Sequence, residues 1–301
     1  MIPLPQATSL GIRHVGIGVF DGVHLGHQEI ISTVLRQTTS PEAAAILTFH
    51  PHPLEVISPE KAPLRLTSLP RMEYWIQHYG IPQLIAIPFD DKLRHFSPSE
   101  FIIWLKRHLP QLQSLTVGFN WRFGYNGLGS TLTLVDLGSQ LNFSTHIVPP
   151  VSIEGEPVSS TRVRETVARK DFALAEKLLG HSFEVSGTVT SGDGKGRTLG
   201  FPTANLTPTR QLLPPYGTYA CTATIDGKSY RAVANYGLRP TFDKKIPQLE
   251  AHLLDFSGDL YQKEILLQEW HWLRDEKKFS DVSELKSQIQ KDIESTRKIQ
   301  I

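Results

Sequence analysis

Two histidines, His24 and His27, stand three residues apart with Gly26 between them, directly after an apolar segment. Residues 15–20 are apolar and largely β-branched, which predicts a strand, and apolar residues resume at helical spacing from Ile30. The pattern therefore predicts a strand, a tight turn and a helix, with both imidazoles at the helix start. Unpaired backbone N–H groups and the helix dipole favour phosphate there. A zinc site would need a third ligand that this segment does not supply.

A second pattern of this kind follows near residue 160. Ser159, Ser160 and Thr161 precede a predicted helix that carries Arg164. The hydroxyl groups alone are explained by helix capping, which contributes about 1 kcal/mol. An arginine within one turn instead favours a phosphate site, because a guanidinium binds two phosphate oxygens at once. Two separate phosphate-binding patterns in one half of a chain are hard to obtain by chance.

Predicted strands alternate with helical patterns through the first half of the chain. The strands are predicted at residues 15–20, 43–49, 84–88, 115–118 and 144–148. One intervening helix is predicted to begin after Ser97, with Pro98 at its first position and Glu100 in a capping box. Such alternation predicts an α/β fold, a Rossmann-like parallel sheet covered by helices on both faces.

Polar residues follow four of these predicted strands directly. In parallel sheets the ligand lies beyond the carboxyl ends of the strands, so these residues are candidates for a site. The four groups are residues 21–27, 50–52, 90–91 and 120–123. Asp90 and Asp91 are explained equally well as an ordinary loop. The prolines at positions 51 and 53 predict an exposed polar loop without helix.

The pattern changes after Gly180, which is predicted to end a short helix over residues 172–179. Alternating or β-branched runs then follow one another, with no helix predicted before residues 282–297. This arrangement predicts a small antiparallel β-barrel with a terminal helix. We therefore expect two domains, residues 1–182 and residues 183–301. The runs cover residues 183–190, 218–225, 228–235, 249–254 and 264–272.

A glycine-rich segment opens this second half. Gly192, Gly194 and Gly196 alternate with other residues and enclose Lys195, and Arg197 follows. Such a loop can lay its backbone N–H groups along a triphosphate. The glycines alone are explained equally well by a surface turn, and the spacing is that of neither a Walker loop nor a Rossmann turn.

Composition limits the classes of protein to consider. A chain of 301 residues is longer than a single hydrophobic core usually supports. Its 31 basic residues nearly balance its 30 acidic residues, so we expect neither a nucleic-acid nor a membrane-surface partner. Cys221 is the one cysteine, which excludes an internal disulfide. We find no leader and no apolar run of membrane-spanning length, and therefore expect a cytoplasmic protein.

Several of these segments resemble one family, the bacterial bifunctional riboflavin kinases and FAD synthetases. The similar stretches include Phe-Asp-Gly-Val-His-Leu-Gly-His-Gln at residues 20–28, the Ser-Ser-Thr-x-x-Arg pattern from Ser159, and Pro-Thr-Ala-Asn at residues 202–205; the similarity extends over residues 13–297. The resemblance implies that His24, His27 and Arg164 act on the phosphates of ATP. It also implies phosphate-binding roles for Gly18, Phe20, Gly26, Ser159, Ser160, Thr161, Gly192, Gly194, Lys195, Gly196 and Arg197, and a flavin-side position for Asn120 and Phe123.

The same resemblance implies two successive reactions. In the kinase half, Thr203 and Asn205 would help to hold Mg²⁺, and Glu250 would be the base that activates the ribityl 5′-hydroxyl of riboflavin toward ATP. In the other half, the phosphate of FMN would attack the α-phosphorus of a second ATP and give FAD and pyrophosphate. The expected small molecules are thus riboflavin, FMN, FAD, ATP and Mg²⁺.

Two departures and two alternative interpretations accompany the resemblance. The family usually has a basic residue followed by Gly-Asp after its Phe-Gly, whereas residues 126–130 read Asn-Gly-Leu-Gly-Ser, and Gln262 stands where the family tends to have glycine. In one alternative the barrel is a regulatory flavin-binding module. In the other the chain is a different cytidylyl- or adenylyltransferase with an unrelated barrel. Phosphorylation of riboflavin and the choice of acceptor would distinguish them.

Overall fold

The computed structural model describes residues 1–191, 195–208, 210–240 and 245–299. Contacts divide the chain into two compact units. The first comprises Met1–Leu64 and Leu69–Ser160, and the second comprises Arg65–Ser68 and Thr161–Ile301. Among the described residues, no helix has the length and apolar character that a membrane span requires.

The first unit is built on a parallel sheet of six strands. Their order across the sheet is β1-β4-β3-β2-β5-β6, and every neighbouring pair is parallel. The chain winds outward from β2 through β3 to β4 and then returns to β5 on the other side of β2. The strands are β1 (Ile2–Pro3), β2 (His14–Ile17), β3 (Ala44–His50), β4 (Gln83–Pro88), β5 (Ser114–Gly118) and β6 (Ser144–Val148).

This winding places a topological switch point between β2 and β5. In doubly wound sheets the ligand crevice opens at that point, beyond the carboxyl ends of the strands. The segment with His24 follows β2, and the segment with Asn120 follows β5. The two groups of candidate residues therefore leave adjacent strands at the same edge of the sheet.

Helices cover both faces of this sheet, as the alternation predicts. Ile31 and Val34 of one helix pack with Met72 and Ile76 of another on one face, whereas Phe101 and its neighbours pack on the other. Ser97 forms the predicted capping box with Glu100. The helices are α1 (Leu25–Leu35), α2 (Pro53–Ile57), α3 (Leu69–His78), α4 (Pro98–His108) and α5 (Thr131–Gln140).

Several elements of the first unit differ from the prediction. The edge strand β1, helix α5 and a hairpin of β7 (Ser152–Ile153) and β8 (Glu156–Pro157) have no predicted counterpart. The prediction of no helix after His50 is wrong, because α2 begins at Pro53. Proline suits the first helical position, where its missing N–H would be unpaired anyway, and the His52 ring accepts a hydrogen bond from the N–H of Leu54 at 3.1 Å.

The second unit is a closed antiparallel barrel with helices. The barrel order is β10-β13-β12-β11-β14-β9, which closes into a ring. Helix α6 (Ser160–Ala168), most of which belongs to this unit, and helix α7 (Phe172–Leu179) precede the barrel, and helix α9 (Val282–Lys298) follows it. The strands are β9 (Val185–Thr190), β10 (Ala204–Thr207), β11 (Gly217–Ile225), β12 (Lys228–Pro240), β13 (Lys245–Leu253) and β14 (Glu264–Arg274).

The barrel and its terminal helix are confirmed, and two details are corrected. The prediction of no helix before residue 282 is wrong, because the short helix α8 (Lys195–Leu199) lies in the glycine-rich segment. Strand β10, which carries Asn205, has no predicted counterpart. Cys221 is fully buried in β11.

Helix α7 packs on the barrel through an aromatic cluster. The ring of Phe172 lies 5.7 Å from that of Tyr219, 6.3 Å from that of Phe183 and 6.3 Å from that of Trp270. Contacts thus group residues 161–182 with the barrel. The boundary at residue 182 stays a prediction of where the two activities separate.

Candidate active sites

The turn between β2 and α1 has a strained backbone. Phe20 has φ +55° and Val23 has φ +40°, values that side chains other than glycine rarely adopt, a β-branched one least of all. Both side chains are fully buried, and Thr48 donates a hydrogen bond to the carbonyl of Val19 at 2.9 Å. Such strain persists only where the surroundings enforce it, and it is concentrated at functional sites.

The two imidazoles lie against each other at the start of α1. His24 is the N-cap, and its Nδ1 accepts a hydrogen bond from the backbone N–H of His27 at 3.4 Å. The two rings are stacked with centroids 3.7 Å apart and an interplanar angle of 15°. The ring centroid of Phe20 lies 5.0 Å from that of His27. The sequence thus places both rings at the helix terminus, where anions are favoured.

The environment of His27 disfavours its charged form. Burial and the neighbouring imidazole of His24 hold the pKa of His27 well below its ordinary value. Its Nδ1 atom is buried and has no hydrogen-bond partner among the described residues. A buried polar atom without a partner is uncommon in native proteins and marks this turn as a candidate binding site.

Space above the rings depends on Gly26. A Cβ atom at this position would come within 3.2–3.3 Å of the His24 ring.

Ser160 contacts the same turn, because its Oγ donates a hydrogen bond to the carbonyl of Asp21 at 2.8 Å. Arg164 lies four residues further along α6, on the helix face of Ser160, and belongs with Thr161 to the second unit. Gly18, Phe20, Gly26, both histidines and Ser160 therefore surround one turn.

A cavity of about 450 Å³ opens beside this turn, and we call it the aromatic cavity. Its wall contains the stacked rings of Trp121 and Phe123, whose centroids are 4.6 Å apart at 13°. Arg94 and Arg122 are its cationic residues, and Asn120 is exposed at the end of β5 outside the lining. The other aromatic lining residues are Phe49, Phe89, Phe101 and Tyr125.

The stretch that departs from the family pattern folds around Phe123. Gly129 exchanges two backbone hydrogen bonds with Phe123 at 2.8 and 3.1 Å, and a Cβ at Gly129 would clash with the Phe123 ring at 2.7 Å. Ser130 caps α5 in a capping box with Thr133. Serine keeps the capping function that an aspartate would have at this position. In this chain the stretch thus fixes Phe123 and begins α5.

In the barrel, the predicted kinase residues lie on adjacent strands. Glu250 of β13 is paired directly with Asn205 of β10 on one side and with Asn235 of β12 on the other. Directly paired residues project to the same face of a sheet. Their neighbours Ala204, Ala251 and Ala234 are buried. The three polar side chains therefore form a row on the outer face of the barrel.

Oxygen atoms are concentrated around Glu250. The hydroxyl of Thr203 lies 3.5 Å from Oε2 of Glu250, and the amide of Gln248 donates to Oδ1 of Asn205. Carboxylate, amide and hydroxyl oxygens are the ligands that suit Mg²⁺, which takes few protein ligands and otherwise binds water and phosphate. No group of three or more His, Cys, Asp or Glu side chains that could hold a metal ion occurs among the described residues. The residues present therefore fit Mg²⁺ shared with a phosphate.

Two cavities meet at Thr203. The loop cavity, about 590 Å³, lies over β9 and β10 and is lined by Arg197, Thr203 and residues 256–261. The helix cavity, about 300 Å³, lies between the barrel and α9 and contains Thr203, Glu250 and Asn235. Thr203 lines both cavities, so Glu250 stands where they adjoin.

The glycine-rich segment contributes α8 to this region. A Cβ at Gly196 would come within 2.5 Å of the carbonyl of Phe201 and 3.0 Å of the Thr203 hydroxyl, so only glycine allows this close passage. Arg197 is exposed at the loop cavity. Gly192 and Gly194 lie outside the described residues, as does the side chain of Lys195.

Comparison with known proteins gives two adjoining matches. The family model described as FAD synthetase matches residues 9–162, and the model described as riboflavin kinase matches residues 179–300. A bifunctional riboflavin kinase/FMN adenylyltransferase from Pseudomonas fluorescens is 37% identical over 284 residues, which is 93% of this chain and 91% of the relative. The chain belongs to this family.

Further members of the family match over similar lengths. Those of Escherichia coli (strain K12) and Bacillus subtilis (strain 168) are 37% and 35% identical, over 92% and 97% of this chain and 89% and 92% of the relatives. A solved structure of a macrolide-efflux protein from Streptococcus pneumoniae shares the fold with a TM-score of 0.86 and 29% identity, over 99% of each chain. The two-part architecture is thus shared over the whole length.

Sequence reasoning missed several residues of these sites. Arg274 binds both carboxylate oxygens of the buried Asp292, at 2.9–3.2 Å, and both residues line the helix cavity. His252 Nδ1 donates to the carbonyl of Pro202 at 2.7 Å and thereby fixes the segment that carries Thr203. His252 lies two residues from Glu250 on β13, whereas the tertiary fold, which a single sequence does not give, brings Arg274 of β14 and Asp292 of α9 to the same cavity.

Proposed function

We propose that this protein makes FAD from riboflavin in two ATP-dependent steps, one in each half of the chain. The barrel phosphorylates riboflavin to FMN, and the α/β unit transfers the adenylyl group of ATP to FMN. Family membership and the two matching family models support this function. The observation that carries it is the position of Glu250 at Thr203, where two cavities adjoin.

In the first step, riboflavin occupies the helix cavity and ATP the loop cavity. Glu250 accepts the proton of the ribityl 5′-hydroxyl as this oxygen attacks the γ-phosphorus, because an alcohol is hardly ionised at neutral pH. Arg197 and the glycine-rich segment, including Gly192, Gly194, Lys195 and Gly196, bind the phosphates. Thr203 and Asn205 would hold Mg²⁺, which neutralises charge on the transferred group when bound.

In the second step, the flavin ring system occupies the aromatic cavity, where Phe123 lies, and Asn120 faces the crevice at the switch point. The aromatic cavity falls within the size range of ligand pockets, and flat aromatic walls suit a flat apolar ring. The phosphate of FMN attacks the α-phosphorus of ATP and expels pyrophosphate. No base is required, since the second pKa of a phosphate monoester is about 6.

Catalysis at the α/β site then consists of alignment and charge stabilisation. His24, His27 and Arg164 bind the phosphates as charge develops on the leaving group. Gly18, Phe20 and Gly26 shape the turn, and Ser159, Ser160 and Thr161 supply hydroxyl and N–H donors at the start of α6. We assign the adenylylation activity to residues 1–182 and the kinase activity to residues 183–301.

One assay tests the function. The purified chain is incubated with riboflavin, ATP and Mg²⁺, and the flavins are separated by chromatography over time. We expect FMN to appear first and FAD to follow. FAD formation from added FMN without phosphorylation of riboflavin would support the alternative in which the barrel is a regulatory module.

A further inference from the structure

The row on the outer face of the barrel contains one amide to which the proposed mechanism gives no role. Asn235 stands directly opposite Glu250, in the register that pairs β12 with β13. Adjacent strands are about 4.8 Å apart, so the two side chains project side by side into the same space. Asn235 lines the helix cavity together with Glu250 and His252.

The two sides of Glu250 border the cavities differently. On the β10 side lies Asn205, two residues after Thr203, which lines the loop cavity as well as the helix cavity. On the β12 side lies Asn235, which lines the helix cavity and is not part of the loop cavity. If phosphates bind on the first side, the acceptor alcohol must reach Glu250 from the second. Asn235 is therefore next to the path of the acceptor.

A buried hydroxyl holds one end of the Asn235 amide. Thr218, which is only 2% exposed, donates from Oγ1 to Oδ1 of Asn235 at 3.2 Å. No other hydrogen bond to the Asn235 side chain occurs among the described residues. An amide has two N–H donors and an oxygen with two acceptor positions. The exposed side chain of Asn235 thus retains both donor and acceptor capacity toward the cavity.

We propose that Asn235 is a substrate-positioning residue that hydrogen-bonds the secondary hydroxyl groups of the ribityl chain and so sets the terminal hydroxyl at Glu250. This inference rests on the proposed kinase function. A polyol both donates and accepts hydrogen bonds, as an amide does. One strand spacing separates Asn235 from Glu250, so a hydroxyl a few carbons from the end of the chain meets the amide. Asn235 thereby makes the site selective for a hydroxylated side chain.

The test compares two acceptors with the full-length protein. One is riboflavin, and the other is a flavin with an unbranched hydroxypentyl chain, which has the terminal hydroxyl alone. In Asn235→Ala we expect kcat/KM for riboflavin to fall roughly 5- to 100-fold, the range for leaving a polar group unpaired. For the hydroxypentyl flavin we expect a change of less than about threefold, because its chain has no secondary hydroxyls to lose.

The ratio of the two activities is measured within one preparation, so a lower fraction of folded protein cancels. Thr218→Val should also lower the ratio of riboflavin to hydroxypentyl-flavin phosphorylation, but by less. The matched control is Thr224→Val, on the same strand, because Thr224 contacts Ser229 and not Asn235, and it should leave the ratio unchanged. Equal losses with both acceptors, or no loss with riboflavin, would overturn the role of Asn235. A wild-type protein that phosphorylates neither acceptor would overturn the proposed kinase function as well.

Discussion

Replacement of Glu250 by glutamine separates basicity from shape at the kinase site. The Thr203 hydroxyl lies 3.5 Å from Oε2 of Glu250, at the outer limit of a hydrogen bond. A glutamine can accept the same contact through its amide oxygen. Even complete loss of such a bond is worth about 1 kcal/mol or less, which corresponds to a factor of about five.

Loss of the base has a much larger expected effect. A positioned general base contributes typically about 10²- to 10⁴-fold, or roughly 2.7–5.5 kcal/mol of barrier. We therefore expect Glu250→Gln to lower kcat for riboflavin phosphorylation by at least about 10²-fold, which lost contacts alone do not explain. The KM for ATP should change little, since Thr203, Asn205 and Arg197 are retained.

The assay follows FMN production by fluorescence-detected chromatography at saturating ATP and Mg²⁺. FAD formation from supplied FMN, measured on the same preparation, gives the reference for protein concentration, because that reaction uses the other half of the chain, and an unchanged melting temperature shows that the barrel is folded. Glu264→Gln, at an exposed glutamate of β14, is the matched control and should behave like the wild type. If the Glu250→Gln variant phosphorylates riboflavin at the wild-type rate, Glu250 has no part in the chemistry.

Three further predictions concern the other residues. His27→Ala and Arg164→Ala should each lower FAD formation from FMN by roughly 10²-fold, the scale for losing a donor to transition-state charge, with riboflavin phosphorylation retained; parallel loss of both activities would point to misfolding. Burial lowers the pKa of His27, so below about pH 6.5 the unfolded chain binds a proton at this residue that the native state does not bind. The ligand-free protein should therefore lose stability as the pH falls below about 6.5, by at most about 1.4 kcal/mol per pH unit for this group. The free energy of unfolding, measured with urea at several pH values, should depend less steeply on pH in His27→Gln than in the wild type. The same pH dependence in both proteins would contradict the lowered pKa of His27. A chain that begins at residue 161 should unfold at a higher temperature than one that begins at residue 183, because only the longer chain retains Phe172 and its contacts with Phe183, Tyr219 and Trp270. Loss of a buried phenylalanine side chain costs about 3–5 kcal/mol. Equal melting temperatures would show that α7 does not stabilise the barrel.

Elements with strong local signals were predictable from the sequence. Strand β6 and helix α7 have the predicted bounds, and Ser97 and Glu100 form the predicted capping box. Each signal depends on residues within one turn or one strand, so no tertiary information is needed. The His24 turn is also local, because strand, glycine and helix start are contiguous.

Other elements had weak or misleading signals. Helix α5 begins Thr-Leu-Thr-Leu-Val, whose alternation has the period of a strand. Helix α8 lies in a segment whose glycines disfavour helix, and it forms where Gly196 passes close to Phe201 and Thr203. Strand β1 has two residues, too few for any periodicity. In these cases tertiary contacts outweigh local preference.

The aromatic cavity was beyond sequence reasoning for a different reason. Phe49 ends one strand, Phe89 follows another, Phe101 lies on α4, and Trp121 and Phe123 follow β5. Each looks like an ordinary core residue in its own segment, and Phe123 alone had a predicted flavin-side position. Only the winding of the sheet brings these segments to one edge. The same holds for Asn235, which strand register places beside Glu250.

The two sites differ because their nucleophiles differ. An alcohol must lose a proton as it attacks, so the barrel site needs a carboxylate within reach, and strand pairing holds Glu250 at Thr203, where two cavities adjoin. A phosphate arrives already ionised, so the α/β site must align two anions and bind the pyrophosphate that leaves. Stacked imidazoles at a helix N-terminus suit this chemistry, because His27 is neutral without ligand and the negative charge of a triphosphate favours its protonated form.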